Sequence, residues 1–402
     1  MKDKTIAELI KKETRRQNDT LNLIPSENIV SKEVMAALGS ALTNKYAEGY
    51  PAKRYYGGNE YIDQIESLCK ERALELFHLS SKNWHVNVQP YSGSPANLAV
   101  FLALVPVGHK IMGLELSMGG HLTHGHKVSA TGKIWQSVQY AVDKKTEFLD
   151  YGAILHLAKK EKPKIIIAGY TAYPRRIDFA KFRKISDAVG AYLMIDMSHV
   201  AGLIAGRAYP DPFPYADVVT TTTHKTLRGP RGAMIFCKIE FAKAIDRAVF
   251  PGLQGGPHTN QIAATAVALF EADTPAFKTY ARQIIKNAKA LAAEFSRLGW
   301  RVVSGGTDSH LLLLDVASRG ITGKEASDIL EAQGIIVNKN TIPYDPRPPM
   351  DPSGIRIGTP ALTTRGMKEK EMKIIAGLMD DVLTKGKNAT SSVRKLCRKF
   401  PI

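Results

Sequence analysis

The sequence predicts an α/β protein, with a large domain built on a mostly parallel sheet and a small α+β domain after it. Three observations predict this. Between Trp84 and Lys238, short apolar runs alternate with segments of helical spacing, the pattern of strands joined by helical crossovers. The 402 residues exceed what one simple core accommodates, so a second domain is expected. Beyond Pro275 the regular alternation stops and gives way to a helix, several strands and a helix.

The elements follow in chain order. The first twenty residues, MKDKTIAELIKKETRRQNDT, read as a surface helix, because Ile6, Leu9 and Ile10 recur at helical spacing among charges. They hold no signal-peptide apolar core, and Asp3, Glu8, Glu13 and Asp19 argue against a transit peptide. Residues up to 83 read as mainly helical with a Gly/Tyr-rich extended stretch. Strand candidates are WHVNVQ, KIMGLEL, KIIIAGY, AYLMIDM, DVVTTTT and AMIFCK. SPANLAVFLALV, YGAILHLAKK and DFAKFRKISDAVG supply helices between them. FPGLQGGPHTN at 250–260 is a Gly/Pro loop before the helix QIAATAVALFEA. A helix over 276–298, strands WRVVSG, HLLLLDV, IIVNKN and GIRIGT, and a last helix near 367–385 complete the chain. The expected division is an N-terminal arm over 1–60, a large domain over 61–272 and a small domain over 273–402.

Composition narrows the function classes. Hydrophobic content of 44% and charged content of 23% are those of a soluble globular protein. No apolar run approaches the ~20 residues that cross a bilayer. Cys69, Cys237 and Cys397 lie far apart with no CxxC pair, so no disulfide framework or zinc site is indicated and a cytoplasmic setting fits. The net charge of +17 could serve nucleic acid, yet the basic residues are spread out and no nucleic-acid module is visible. A basic cleft for an anionic small molecule explains it as well.

In open α/β sheets, ligands sit beyond the carboxyl ends of the strands. The residues there form a pattern. After WHVNVQ comes YSGSPAN, a small-residue turn into a helix that presents free N–H groups suited to phosphate. After KIMGLEL comes a loop with His121, His124 and His126; no Asp, Glu or Cys lies within it to complete a metal site, and an imidazole there suits stacking on an aromatic ring. After AYLMID comes Asp196, a carboxylate that needs a cationic partner if buried. After the β-branched run VVTTTT comes Lys225, placed where burial would lower its pKa and make it a competent amine nucleophile. A phosphate anchor, a ring contact, an acid for the pyridine nitrogen and a Schiff-base lysine are the four parts that pyridoxal phosphate needs.

The chain resembles the serine hydroxymethyltransferases along nearly its whole length, through LIPSEN, TNKYAEGYPAKRYYGG, YSGSPAN, GGHLTHG, DMSHVAGL, TTTTHKTLRGPRG, FPGLQGGP and GIRIGTPALTTRG in order. The resemblance implies a pyridoxal-phosphate enzyme of fold type I with a seven-stranded-type sheet, working as a homodimer or a pair of dimers. It implies reversible transfer of a one-carbon unit from L-serine to tetrahydrofolate, giving glycine and 5,10-methylenetetrahydrofolate. It implies that Lys225 carries the cofactor as an aldimine, with Thr222 and His224 beside it. By the same matching Ser92, Gly93 and Ser94 hold the phosphate, joined by Tyr46 and Gly256 of the other subunit. His121 stacks on the pyridine ring, Asp196 pairs with its nitrogen, and Thr171 and His199 contact its oxygen side. Arg356 and Ser26 bind the substrate carboxylate. Glu48, the proton-transfer group, and Tyr56 reach in from the other subunit. Leu116, Gly120, Leu122, Asn340, Pro348, Pro349 and Met350 border the folate.

Two stretches depart from the family's pattern. Ala233 stands where a second glycine is common after GPRG, which should be tolerated if its φ is negative. HKVSATG varies the run after GGHLTHG and could alter folate affinity. Two other readings remain at this point: a folate-independent aldolase of β-hydroxy amino acids, and a non-catalytic RNA-binding homologue supported only by charge.

Overall fold

The computed structural model describes residues 1–402, which fall into two compact units: residues 30–282, and residues 1–29 together with 283–402. In the first unit, β1 (Trp84–Asn87), β2 (Lys110–Leu114), β3 (Gln136–Tyr140), β4 (Ile165–Ala168), β5 (Tyr192–Asp196), β6 (Val218–Thr222) and β7 (Ala233–Lys238) form one sheet in the order β1-β7-β6-β5-β4-β2-β3. Only β7 runs antiparallel, against both β1 and β6. The other neighbours are parallel, so six strands point the same way. β4 and β6 are buried at every position, as expected of central strands covered on both faces. Their sequences, IIIA and VVTTT, are almost wholly β-branched, which suits a pleated strand and disfavours a helix.

Three of the helices that accompany the sheet match the helical segments read between the strands. They are α1 (Gly93–Leu104), α2 (Tyr151–Glu161) and α3 (Phe179–Asp187). α1 is nearly all apolar and packs Ala96, Ala99, Val100 and Phe101 into the sheet core. Asp150 and Asp178 cap α2 and α3 through their side chains, which satisfies N–H groups at each helix start. The expectations missed β3. Its sequence, QSVQY, is polar and its first two residues are exposed, because it is the sheet edge. Ala233 opens β7 without a positive φ, so its methyl group is accommodated.

In the second unit, β8 (Arg301–Val302), β9 (Leu311–Asp315), β10 (Asn338–Asn340) and β11 (Gly354–Gly358) form a four-stranded sheet in the order β8-β9-β11-β10. The expected strand IIVNKN is split. Ile335–Ile336 leaves this sheet and pairs in parallel with Leu21–Asn22. That pairing draws the N-terminal segment into the core of this unit, where Leu21 and Leu23 are fully buried. The last helix is Thr390–Lys399 rather than the one near 367–385, which is Glu369–Lys385. No helix of the protein is long and apolar enough to cross a membrane.

Arg365 fastens both chain ends to this unit. It is 7% exposed, and its guanidinium donates to the carbonyls of Asn18 and Thr20 at 3.0 and 2.8 Å, and of Cys397 and Phe400 at 3.1 and 2.6 Å. These carbonyls close the helices Lys4–Asp19 and Thr390–Lys399, where the negative ends of the helix dipoles favour a cation. Arg365→Met should strand several buried acceptors and lower stability by about 2–4 kcal/mol. Denaturant titration measures that loss, and limited proteolysis should then cut first within residues 1–20 and 388–402.

Candidate active site

The carboxyl ends of the parallel strands build the site. Gly93, His121, Thr171, Asp196, His199, Thr222 and Lys225 line one recess there. Asn97, His124, Tyr170 and Ser198 line it too, and the sequence reading assigned none of these four a role.

Asp196 ends β5 and is nearly buried. Its Oδ2 accepts from His124 Nε2 at 3.1 Å and from Asn97 Nδ2 at 2.9 Å, and its Oδ1 accepts from the Ser198 N–H at 3.1 Å. Burial alone would push this carboxyl up. The His124 hydrogen bond and charge, the charge of His121 and a hydrogen bond from the Ser198 side chain outweigh it and hold the group well below the ordinary carboxylate range. The partner that a buried Asp196 required includes His124, one turn of loop beyond His121. Asn97 is fixed in turn, donating also to Thr123 Oγ1 at 2.9 Å and accepting from Thr220 Oγ1 at 2.7 Å. His121 Nδ1 lies 2.7 Å from Thr123 Oγ1, which locks the ring, and its centroid is 5.5 Å from that of His124.

Lys225 sits in a turn tied down on both sides. Thr223 receives the N–H of Gly229 on its carbonyl at 2.7 Å, and its hydroxyl donates to Pro230 O at 2.6 Å. Thr226 Oγ1 donates to His199 O at 2.9 Å and accepts from the Gly202 N–H at 3.0 Å, joining this turn to the one after β5. Arg228 adopts φ 62° and stacks its guanidinium over Tyr280 at 5.1 Å. Thr222 Oγ1 and His124 Nδ1 are buried polar atoms without a hydrogen-bond partner.

Ser92 stands at the N-cap of α1 with its side chain making no cap bond, so the first-turn donors of this helix and the Ser92 hydroxyl have no acceptor from the helix itself. A Cβ on Gly93 would lie 2.7 Å from Thr222 Cγ2, so only glycine lets the helix start come up to the end of β6. Ser94 is exposed beside it. Together these features fit an anionic, planar, carbonyl-bearing cofactor: an uncapped helix start, unpartnered buried acceptors and donors, an ionised carboxylate and an amine.

His224 is half-buried next to Lys225, outside the recess. Burial pulls its imidazole down to about 3, helped by the charges of Lys225 and Arg231.

Other expected site residues lie elsewhere. Tyr46, Glu48 and Tyr56 form a partly exposed cluster of their own: Tyr46 OH donates to Glu48 Oε1 at 3.2 Å, and the Tyr46 and Tyr56 rings are 4.9 Å apart. This cluster sits against Gly255 and Gly256 and does not line the recess. Leu116, Gly120 and Leu122 occupy the loop after β2, where Leu122 is 44% exposed. In the other unit, Arg356 is buried in β11 and its Nε donates to Asn338 Oδ1 at 3.1 Å; burial pulls its guanidinium down to about 10. Gly358 N donates to Leu23 O at 2.7 Å, which brings the segment carrying Ser26 beside the end of β11. Asn340 ends β10, and Pro348, Pro349 and Met350 form an exposed loop whose last carbonyl accepts from Lys339 Nζ at 2.8 Å.

The depressed His224 pKa has a consequence for stability. Between about pH 6.5 and 3 the unfolded chain binds a proton at this position that the folded chain does not, so stability falls as pH drops through that window. His224→Gln removes this group, and the loss of stability from pH 7 to pH 4 should become shallower than in the parent. Urea unfolding at both pH values measures the difference.

The family model described as serine hydroxymethyltransferase matches residues 1–379. Proteins named serine hydroxymethyltransferase from Desulfotalea psychrophila and Coprothermobacter proteolyticus are each 55% identical to this chain, and one from Acidothermus cellulolyticus is 53% identical. Each alignment covers 99% of this chain and 94–95% of the relative. With the recess at the strand ends and likeness along almost the full chain, the protein belongs to the serine hydroxymethyltransferase family.

Proposed function

We propose that this enzyme transfers a one-carbon unit reversibly between L-serine and tetrahydrofolate, giving glycine and 5,10-methylenetetrahydrofolate, with pyridoxal phosphate held covalently by Lys225. The observation that carries the reading is the convergence of Lys225, an ionised Asp196, the His121 ring and the open start of α1 in one recess. Pyridoxal phosphate, when bound, supplies an electron sink for the bonds at the amino-acid α-carbon.

The protein's own groups do the rest. Ser92, Gly93 and Ser94 bind the phosphate through N–H and hydroxyl donors at the start of α1. Asp196, kept ionised, holds a proton on the pyridine nitrogen, and His124 and Asn97 aim its carboxylate. His121 covers one face of the ring. Thr171 and His199 meet its oxygen side, and Thr222, whose hydroxyl is unpartnered, lines the same recess as Lys225. A neutral His224 acts as a hydrogen-bonding group and adds no charge beside the amine. Arg356 binds the substrate carboxylate with its planar fork, joined by Ser26.

Glu48 moves the proton at the substrate hydroxyl, with Tyr56 beside it. Both act from the partner subunit of a homodimer, as do Tyr46 and Gly256. In support, these four residues cluster together and none of them lines the recess that holds their own chain's Lys225. The folate lies along Leu116, Gly120 and Leu122, with Asn340 and the Pro348–Met350 loop at its edge. The net positive charge favours the anionic tail of a folate polyglutamate. The three cysteines are free and buried, which suits a reducing cytoplasm.

Visible absorption of the purified protein tests the reading. A cofactor band should change on adding glycine and change again on adding tetrahydrofolate. A band that ignores folate would point to an aldolase instead, and no band after reconstitution would reject the assignment. Lys225→Gln should abolish borohydride-fixed attachment of the cofactor and slow turnover at least about a thousand-fold. Arg356→Lys should act mainly on substrate binding, raising KM for serine about 10–100-fold in steady-state assays.

A further inference from the structure

We infer that Arg54, supported by Glu66 and Gln89, is the positioning device for Glu48, because its guanidinium grips the two peptide carbonyls on either side of that residue. The inference rests on the proton-moving role proposed for Glu48.

Arg54 Nη1 donates to Ala47 O at 2.9 Å and to Gly49 O at 2.8 Å. These are the carbonyls immediately before and after Glu48. The remaining edge of the fork is taken by carboxylates: Nε meets Asp63 Oδ1 at 2.9 Å, and Nη2 meets Glu66 Oε2 at 2.7 Å. The carbonyl of Glu48 itself accepts from the Tyr55 N–H at 3.0 Å. All three peptide oxygens from 47 to 49 are thereby fixed. The chain turns sharply here. Gly49 has φ 97°, and a Cβ on it would lie 2.3 Å from Lys53 O.

Gln89 ties this loop to the sheet. Its Nε2 lies 3.0 Å from Gly49 O and 3.0 and 3.1 Å from the two Glu66 oxygens. Gln89 is the second residue after β1 and stands three residues before Ser92. Its carbonyl accepts from Gln254 Nε2 at 3.0 Å, and Gln254 Oε1 accepts from the Tyr91 N–H at 3.0 Å. The strand end that leads into the anion cradle therefore also sets the position of the Glu48 backbone.

The burial of this network argues for positioning over stability. The Arg54 and Glu66 side chains are only 4% and 1% exposed. A buried ion pair seldom stabilises more than an apolar replacement of equal volume, since desolvation cancels most of its attraction. What it supplies here is a rigid, planar set of donors that reaches four acceptors in fixed directions. A lysine offers three donors from one point and cannot span them.

The test uses the holoenzyme and three variants, Arg54→Lys, Gln89→Met and Glu48→Gln. Arg54→Lys and Gln89→Met should each lower kcat of the folate-dependent reaction about 10–100-fold while KM for serine stays within about two-fold, because a misplaced proton carrier costs rate more than binding. The visible band of the bound cofactor should be unchanged. Exchange of the Tyr55 amide hydrogen should speed up in both variants. Adding Glu48→Gln to either should cost little beyond Glu48→Gln alone, since the losses share one cause. Parent-like kcat in both positioning variants, or fully additive losses in the double variants, would overturn the inference. If Arg54→Lys does not fold, Gln89→Met, which removes no buried charge, carries the test. A harmless Glu48→Gln would reject the role of Glu48 itself; unchanged Tyr55 exchange in the other two variants would then reject the positioning as well.

Discussion

An ionised carboxylate buried at the end of a central strand is the constraint on which the site depends. Asp196 can keep its charge only because His124, Asn97 and the Ser198 N–H all reach it. Each comes from a different place: the loop after β2, the first turns of α1 and the turn after β5. The carboxylate therefore fixes how these three pieces meet. Thr220 of β6 extends the same web through Asn97, and Ser198 Oγ accepts the Thr222 N–H at 3.0 Å, so the strand that leads to Lys225 is held in the same frame. A single compensated carboxylate thus ties together the segments that carry Asp196, His121 and Lys225.

Parallel topology makes that convergence possible. Six strands point one way, so the loops after β1, β2, β4, β5 and β6 all emerge at one end. The uncapped start of α1 emerges there as well, and the Asp196 carboxylate in the same recess is already engaged by His124, Asn97 and the Ser198 N–H. A helix start of this kind offers its dipole and free N–H groups to an anion. Reversing β7 alone lets the chain return to β1 after the Lys225 turn without disturbing the other strand ends.

Much of this could be read from the sequence, and the reason is local. The runs IIIA and VVTTT, the apolar α1 and the Asp-capped α2 and α3 each carry their conformation in adjacent residues. The residues predicted at the strand ends, among them Gly93, His121, Asp196 and Lys225, do line one recess. What could not be read depends on distant partners. QSVQY is a strand only because β2 offers it an edge. Ile335–Ile336 leaves its expected strand because Leu21–Asn22 pairs with it across three hundred residues. His124 looked like one of three loop histidines until Asp196 was beside it. The basic final helix carried no apolar run to announce it, yet Val393 and Cys397 give it an inward side.

The same distinction explains the arginines. Arg54 and Arg365 look alike in sequence, each a basic residue beside a glycine-containing turn. In the fold each is a buried guanidinium that finds four acceptors far from it in sequence or on both sides of a turn. Burying a cation is costly unless nearly every donor is satisfied, so such a residue tolerates very few arrangements of the backbone around it. Arg365 uses that intolerance to define where two helices end, and Arg54 uses it to define one short loop. Arg356 is buried too, but it stands in a strand that is expected to receive a ligand carboxylate. A planar fork fixed by its neighbours serves a loop in the case of Arg54 and two helix ends in the case of Arg365, while a substrate carboxylate is the partner proposed for Arg356.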